Sequence, residues 1–406
     1  MDRNKSHAII VGAGPAGMIM AWLLVRNNIQ VTIIERHPDF SREFRGEGIQ
    51  ASVMKHLEEL GLMGPIMDLK MGVPAEAARV FFNEKPVAVL KGIDPNSDFG
   101  LVLHQEKFLQ YLHQELSKSS LYQSYLGHTA IDFVENNPGV SSITLRDKER
   151  REKQLLGDVI FVTTGRGTAL RRKLNLKATQ VATHWNILWI LLPRPKQDDL
   201  IPKGFRAYLN GDNLFILYTN SEGLIQMAWG RKEENKLREK DFEKRKATLL
   251  SEIPSNYQTL VKEGYQETSR SQFLKVECDR LSSWHYKNVL FLGDAAHTMS
   301  PVAGQGINLA IRDSIVAANH CIPFLKENRP LPAETFIAIQ NERIKEIKIM
   351  QRFQQKFGCF MLGAPKWQSK IFFFLILPVL KKIGLQKKML KMVQGGVSKV
   401  SIKHLQ

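Results

Sequence analysis

Two glycine-bearing segments far apart in the chain carry the residue types and spacings that chemistry needs. Gly12, Gly14 and Gly17 form the run GAGPAG, with Ala16 inside it, directly after the apolar stretch HAIIV and directly before MIMAWLLVRN. In that context the first glycine permits a tight turn, the second lets backbone approach a pyrophosphate, and the third lets helix and strand pack closely. A helix starting there offers free N–H groups and a positive dipole end to phosphate. Glu35 closes the next apolar run, 23 residues after Gly12, where a carboxylate can accept ribose hydroxyls. That charge would repel a 2′-phosphate, which argues against NADP as the ligand here. Arg36 beside it could favour such a phosphate or simply be a surface charge. The whole pattern predicts a bound dinucleotide rather than a merely structural glycine turn.

The second segment is LGDAAHTMSPVAGQGIN, residues 292–308. An apolar strand delivers Asp294 to its C-terminal edge. Pro301 then precedes the loop Gly304-Gln305-Gly306, which opens a helix through Ile307 and Asn308. A carboxylate at a strand end can bind sugar or ribityl hydroxyls, and a glycine loop at a helix start can present N–H groups to a developing anion. Spacing alone also admits a strand–turn–helix with a capping aspartate.

Together these segments resemble the FAD-dependent aromatic hydroxylases of the para-hydroxybenzoate hydroxylase type, the group A flavoprotein monooxygenases. That group includes ubiquinone-pathway hydroxylases and enzymes that tailor polyketides or modify antibiotics. The resemblance covers roughly residues 7–350. It implies that Asp294 binds the FAD ribityl chain and that Pro301 and Gly304–Gly306 lie against the flavin ring. FRGEGIQ (44–50) resembles the family's Arg-Gly segment, which implies a cofactor or active-site contact at Arg45. HQEKFLQYL (104–112) resembles the segment whose glutamine or arginine reaches the flavin, which implies Gln105. In TTGRGTALRRKL (163–174), Gly165, Thr168 and Arg171 match the family's strand-end motif, but Thr164 stands where the family has aspartate. That departure bears on the nicotinamide donor.

By resemblance, NADH or NADPH reduces FAD, and reduced flavin with O2 hydroxylates an aromatic or polycyclic lipophilic molecule through a C4a-hydroperoxyflavin. No second GxGxxG is present to hold the donor. The other readings are an FAD-dependent reductase or dehydrogenase and a catalytically altered flavin-binding protein; no tryptophan-x-tryptophan-x-isoleucine signature favours a halogenase. His104, His184, His297 and Tyr218 are candidates for a catalytic base by residue type only.

The elements that must position these residues follow from periodicity. Residues 7–35 read strand–helix–strand. Residues 49–60 read as a helix stopping at Gly61, 76–91 as a strand pair and 105–118 as a helix. Four β-type runs between 184 and 230 predict a mostly antiparallel sheet. It carries Trp185, Trp189, Phe205, Tyr208, Phe215, Tyr218 and Trp229, either as core or as an apolar pocket facing the flavin. Helices are expected at 237–252, at 305–327 and after Pro332. The predicted class is α/β (α+β overall). Residues 1–75, 100–178 and 275–346 form a discontinuous Rossmann-like FAD-binding domain, 76–99 and 179–274 an inserted substrate domain, and 347–406 a basic, apolar helical segment.

The 406 residues carry 57 Lys+Arg and 40 Asp+Glu, a net charge of +17. Glu346 is the last acidic residue, and the 12 Lys and Arg after it hold most of that excess. The cofactor motifs therefore lie in a nearly ordinary body. The tail, broken in this reading at Pro365 and Pro378, fits an anionic membrane surface through 366–406 better than nucleic acid, or else a packed cap with a solvated lysine face. Its longest apolar run, Ile371–Leu380, is too short to span a bilayer. Three scattered cysteines suit a cytoplasmic protein and form no disulfide framework or metal knuckle.

Overall fold

The computed structural model describes residues 5–41, 47–92, 97–136, 139–183, 185–195, 197, 200–232, 234–363 and 366–405. Arg45, His184 and Pro365 lie outside the described residues. At the centre is a six-stranded sheet in the order His285–Tyr286, Val289–Phe291, Val159–Val162, His7–Val11, Gln30–Glu35 and Tyr122–Leu126. Every pairing is parallel except that of His285–Tyr286. The inner strands are buried along their length, as expected of strands covered on both faces. One cover is the helix Pro15–Arg26, which begins with Gly14 at its N-cap and proline in its first turn. The helix Gly306–Lys326 packs on it, and the Ser314 hydroxyl donates to the Ala16 carbonyl at 2.8 Å.

A second, seven-stranded sheet runs Ser271–Lys275, Asn186–Leu192, Ile225–Arg231, Asn213–Thr219, Gly204–Asn210, Ala77–Phe82 and Lys85–Leu90. Only the Gly204–Asn210 pairing with Ala77–Phe82 is parallel. The 76–91 strand pair is a two-residue hairpin with Asn83 and Glu84 both at positive φ, the geometry that suits the twist of its strands. Alternation divides the aromatic run between two faces. Trp185, Trp189 and Tyr218 join an apolar cluster with Val302 of the second glycine segment, and Phe205 packs against it. Tyr208, Phe215 and Trp229 belong to a separate core with Leu249, Tyr257 and Tyr265.

The C-terminal part begins with the helix Ala333–Gly363. From Lys366, helix Lys366–Ile371, a π-helical turn Phe372–Ile376 and helix Leu377–Lys382 run into one another without interruption. The expected break at Pro378 does not occur. Proline lacks an N–H and crowds the carbonyl four residues back, and the wider turn just before it absorbs both constraints. After the helix Leu385–Gly395, the chain returns to the body. The Val397 N–H donates to the Glu346 carboxylate at 2.7 Å, and Arg312 donates to the Ser398 carbonyl. Asn319 bonds the Ser401 carbonyl and the Lys403 N–H at 2.7 and 2.9 Å. Among the described residues, no helix is long and apolar enough to cross a membrane.

Candidate functional site

The first glycine segment is built by close approach. Gly12 has φ +105°, and a Cβ there would lie 2.7 Å from the Thr163 carbonyl oxygen. A Cβ on Gly17 would lie 2.0 Å from the Gly12 carbonyl oxygen. The Thr163 hydroxyl fills what space is left, donating toward the carbonyls of Val11 and Gly12 at 3.0 and 2.7 Å. Glu35 is buried, and its carboxylate accepts the Ala13 N–H at 2.8 Å and the His37 N–H at 3.1 Å. The acid is thus locked against the glycine turn rather than swinging free. Arg36 is exposed and contacts His37.

The second segment faces the same strand ends. Asp294 sits in a single turn, Gly293–Ala295, and its Oδ1 lies 3.9 Å from where a Cβ on Gly306 would be. The aspartate therefore stands at the N-terminus of helix Gly306–Lys326. Ala303 and Gly304 take consecutive left-handed conformations, φ +60° and +57°. A Cβ on Gly304 would meet nothing within 4 Å, and the same holds for Gly165. Pro301 caps this turn. Gln305 is buried and donates weakly to Ala303 and to Val393 of the tail, each at 3.3 Å. Ile307 packs on the main core. The Asn308 amide is spent on backbone: it accepts the Gln50 N–H at 2.8 Å and donates to the Gly48 and Gly304 carbonyls. That side chain clamps the loop to strand Gly48–Gln50, so any ligand contact at Asn308 belongs to its backbone.

Arg171 ties the strand-end motif to the aspartate loop. It is buried and donates to the Ala295 and Asp294 carbonyls at 2.6 and 3.0 Å and to Asp279 at 2.7 Å. Burial disfavours the Asp279 charge, but bonds from Arg171 and Thr298 outweigh it and hold the carboxyl below its ordinary range. Thr164 is exposed at the end of strand Val159–Val162. Gln105 begins the helix Gln105–Leu116, and its backbone N–H meets the Glu47 carboxylate.

Glu47 went unread as a functional residue, although it stands inside the quoted segment FRGEGIQ. It is only 6% exposed, and burial pushes its carboxyl up to about 8. Among the described residues its Oε2 has no hydrogen-bond partner. Its N–H meets the hydroxyl oxygen of Tyr218, whose phenol burial pushes well above its ordinary range. Tyr218 packs edge-on to Phe205 and Trp189, with centroids 5.3 and 6.3 Å apart. Of the three base candidates among the described residues, Tyr218 packs at this inner face. His104 Nε2 points to Glu222 at 3.4 Å. His297 is buried against Asp313 at 2.6 Å. The sequence signal for Glu47 is an acid between two glycines, two residues after Arg45.

Comparison with known proteins agrees with this geometry. Residues 5–331 match the FAD binding domain family. The chain is 25% identical to 6-methylpretetramide 4-monooxygenase of Streptomyces rimosus over 78% of its own length and 75% of that protein's. It is 22% identical to squalene monooxygenase of Mus musculus over 76% of its length, but spans only 53% of that relative. The fold superposes on p-nitrophenol 4-monooxygenase PnpA of Pseudomonas putida with a TM-score of 0.77 at 16% identity, covering 95% of this chain and 98% of that one. The chain belongs to the FAD binding domain family, among its FAD-dependent monooxygenases of the aromatic-hydroxylase type.

Proposed function

We propose that the protein hydroxylates an aromatic or polycyclic, lipophilic small molecule, using FAD, O2 and NADH or NADPH. The observation that carries this reading is the aromatic inner face of the seven-stranded sheet, which shares one apolar cluster with Val302 of the second glycine segment. In this reading Gly12–Gly17 receive the pyrophosphate at the start of helix Pro15–Arg26, and Glu35 takes ribose hydroxyls. Arg36, Arg45 and Gln105 contribute further contacts to the cofactor in this reading. Asp294 takes the ribityl chain, and Pro301 and Gly304–Asn308 present their backbone to the ring. The tight contacts at Gly12 and Gly17 and the open side of Gly165 and Gly304 fit a bound flavin nucleotide. When bound, FAD supplies the redox and oxygen chemistry. The chain's own share is to orient the ring, exclude water and hold protons, with Glu47 and Tyr218 beside the substrate.

Thr164 favours a second reading, in which the flavin is bound but the donor is handled differently, as in a reductase or a catalytically altered protein. Peripheral attachment of a cytoplasmic protein to an anionic membrane through 366–406 is a separate proposal, compatible with either reading of the chemistry. The test is purified protein. A flavin absorbance band, with substrate-stimulated NADH or NADPH oxidation, O2 uptake and a hydroxylated product in step, is the expected result. Donor oxidation without oxygenated product would select the second reading. A colourless protein that FAD cannot reconstitute would overturn both.

A further inference from the structure

The tail turns an apolar face outward. Trp367, Ile371, Leu375, Val379 and Ile383 recur every four residues through the continuous helical stretch, with Phe374 beside them, and all are exposed, from 40% to 67%. Ser369 and Phe373 are buried on the opposite side, and Leu377 packs there too. The stretch is therefore apolar on two sides, whereas an ordinary surface helix has a single apolar stripe, which faces the core. Six exposed large apolar side chains are thus gathered on and beside one stripe, while others such as Met67, Leu156 and Ile337 are scattered over the surface. Exposed Lys370, Lys381, Lys382, Lys387, Lys388 and Lys391 flank it, and the tail contains no acidic residue. A second copy of this chain would bring lysines against lysines. An anionic bilayer would match both the apolar stripe and the charge around it.

The underside of the same stretch reaches the proposed site. Phe373 stacks on Phe82 with centroids 5.0 Å apart, and Phe372 meets Phe360 edge-on at 4.7 Å. Phe82 and Phe373 share one cluster with Trp189, Tyr218 and Val302. The residues that plug this cluster are those of the π-helical turn Phe372–Ile376. Such turns are weaker than α-helix and concentrate at functional sites.

We propose that this stripe docks on an anionic lipid bilayer and that the π turn, with Phe373 as its plug, is the portal through which a lipophilic ring substrate passes from the membrane to the flavin. The inference rests on the monooxygenase reading for what lies behind the portal, but not for the docking. A molecule dissolved in the bilayer would displace Phe373 and reach the sheet's inner face without crossing water. The returning segment 397–403 keeps the stripe anchored against the body while the turn opens.

The test uses the full-length flavoprotein and vesicles of phosphatidylcholine with or without phosphatidylglycerol. Trp367 is the one exposed tryptophan of six, so lipids with brominated acyl chains report on it selectively. The expected result is quenching with the anionic vesicles only. The pair Leu375→Asp and Val379→Asp should weaken binding by about tenfold or more while flavin occupancy stays unchanged. A bilayer-partitioned aryl diazirine should label Trp367 and Leu375 and, behind them, Phe373 and Phe82. Phe373→Trp, a bulkier plug, should cut the label on Phe82 without changing vesicle binding. No quenching of Trp367 would overturn the docking. Label confined to the outer stripe would overturn the portal. Neither outcome touches the monooxygenase reading, which falls only if flavin occupancy or substrate-linked O2 uptake fails in solution.

Discussion

Replacing Glu47 with glutamine tests whether a buried neutral acid stands beside the proposed flavin site. The carboxyl is moved from an ordinary 4.5 up to about 8, first by burial, with Glu222 adding to the rise and the Gln105 N–H opposing it. In the unfolded chain this acid releases its proton from about pH 4.5 upward; in the folded chain it keeps the proton to about pH 8. The unfolded state therefore binds fewer protons between these limits, and folding stability falls as pH rises through them. At about 1.4 kcal/mol per pH unit, the loss reaches about 3 kcal/mol at pH 7 and levels off near 5 kcal/mol above pH 8. Glutamine keeps the shape of the protonated acid without a titrating proton, so Glu47→Gln should be the more stable protein at neutral and high pH and gain nothing at pH 4. Thermal unfolding midpoints of the two apoproteins, followed from acid to pH 9, measure the gap. An infrared carboxylic-acid band at neutral pH that vanishes in the variant assigns it to this residue. Parallel stability curves, with no such band, would refute the reasoning.

Three further outcomes are expected. Asp294→Ala removes one or two charge-assisted hydrogen bonds from the proposed ribityl contact, each about 1.5–3 kcal/mol, so FAD should dissociate at least about tenfold more readily on dialysis. Arg171→Met strands the largely buried Asp279 and two carbonyls of the aspartate loop, at a cost of about 3–5 kcal/mol; unfolding midpoint and flavin occupancy should fall together, and Asp279→Asn in the same chain should restore part of the loss. Gly396→Ala would put a Cβ 1.8 Å from an Arg312 nitrogen at a residue with φ +78°; limited proteolysis should then cut within 366–395 faster than in the parent.

The turns of the candidate site were legible because their residues are neighbours in the chain. GAGPAG and GDAAHTMSPVAGQGIN each form one turn, and a turn's geometry is written in its local spacing. Glu35 was legible for the same reason, since a strand–helix–strand unit fixes where its acid falls. What was not legible depends on contacts between distant segments. Nothing near Glu47 announces that Tyr218, from another sheet, and Gln105, from another helix, will enclose it. Asn308 carried the right type for a ligand contact, yet strand Gly48–Gln50 claimed its amide. The aromatic run held more information than its composition suggested. A period of two assigns Tyr218 and Phe215 to opposite faces of the sheet. Pro378 misled because a proline rule describes a regular α-helix, and the chain widened its helix instead.

The tail looked like an appendage because its charge changes so sharply after Glu346. That residue in fact joins the tail to the body. Glu346 is fully buried and pairs with Arg343 and, at 2.6 Å, with Arg312, while also accepting the Val397 N–H. Arg343 pairs in turn with Asp313 at 2.8 Å, and Asp313 accepts the Gly293 N–H at 3.1 Å. Burial works against the Asp313 and Glu346 charges, but their cationic partners outweigh it and hold both carboxyls below the ordinary range. One unbroken chain of ion pairs, closed at each end by a backbone hydrogen bond, thus runs from the residue before Asp294 to the segment that anchors the tail. Such a cluster adds little over an apolar core, yet losing one member leaves a buried charge with no partner. Its effect here is geometric. The loop that presents Asp294 and the strap that holds the apolar stripe in place share the same buried charges, so the tail cannot lift off the body without disturbing the loop at the proposed flavin site.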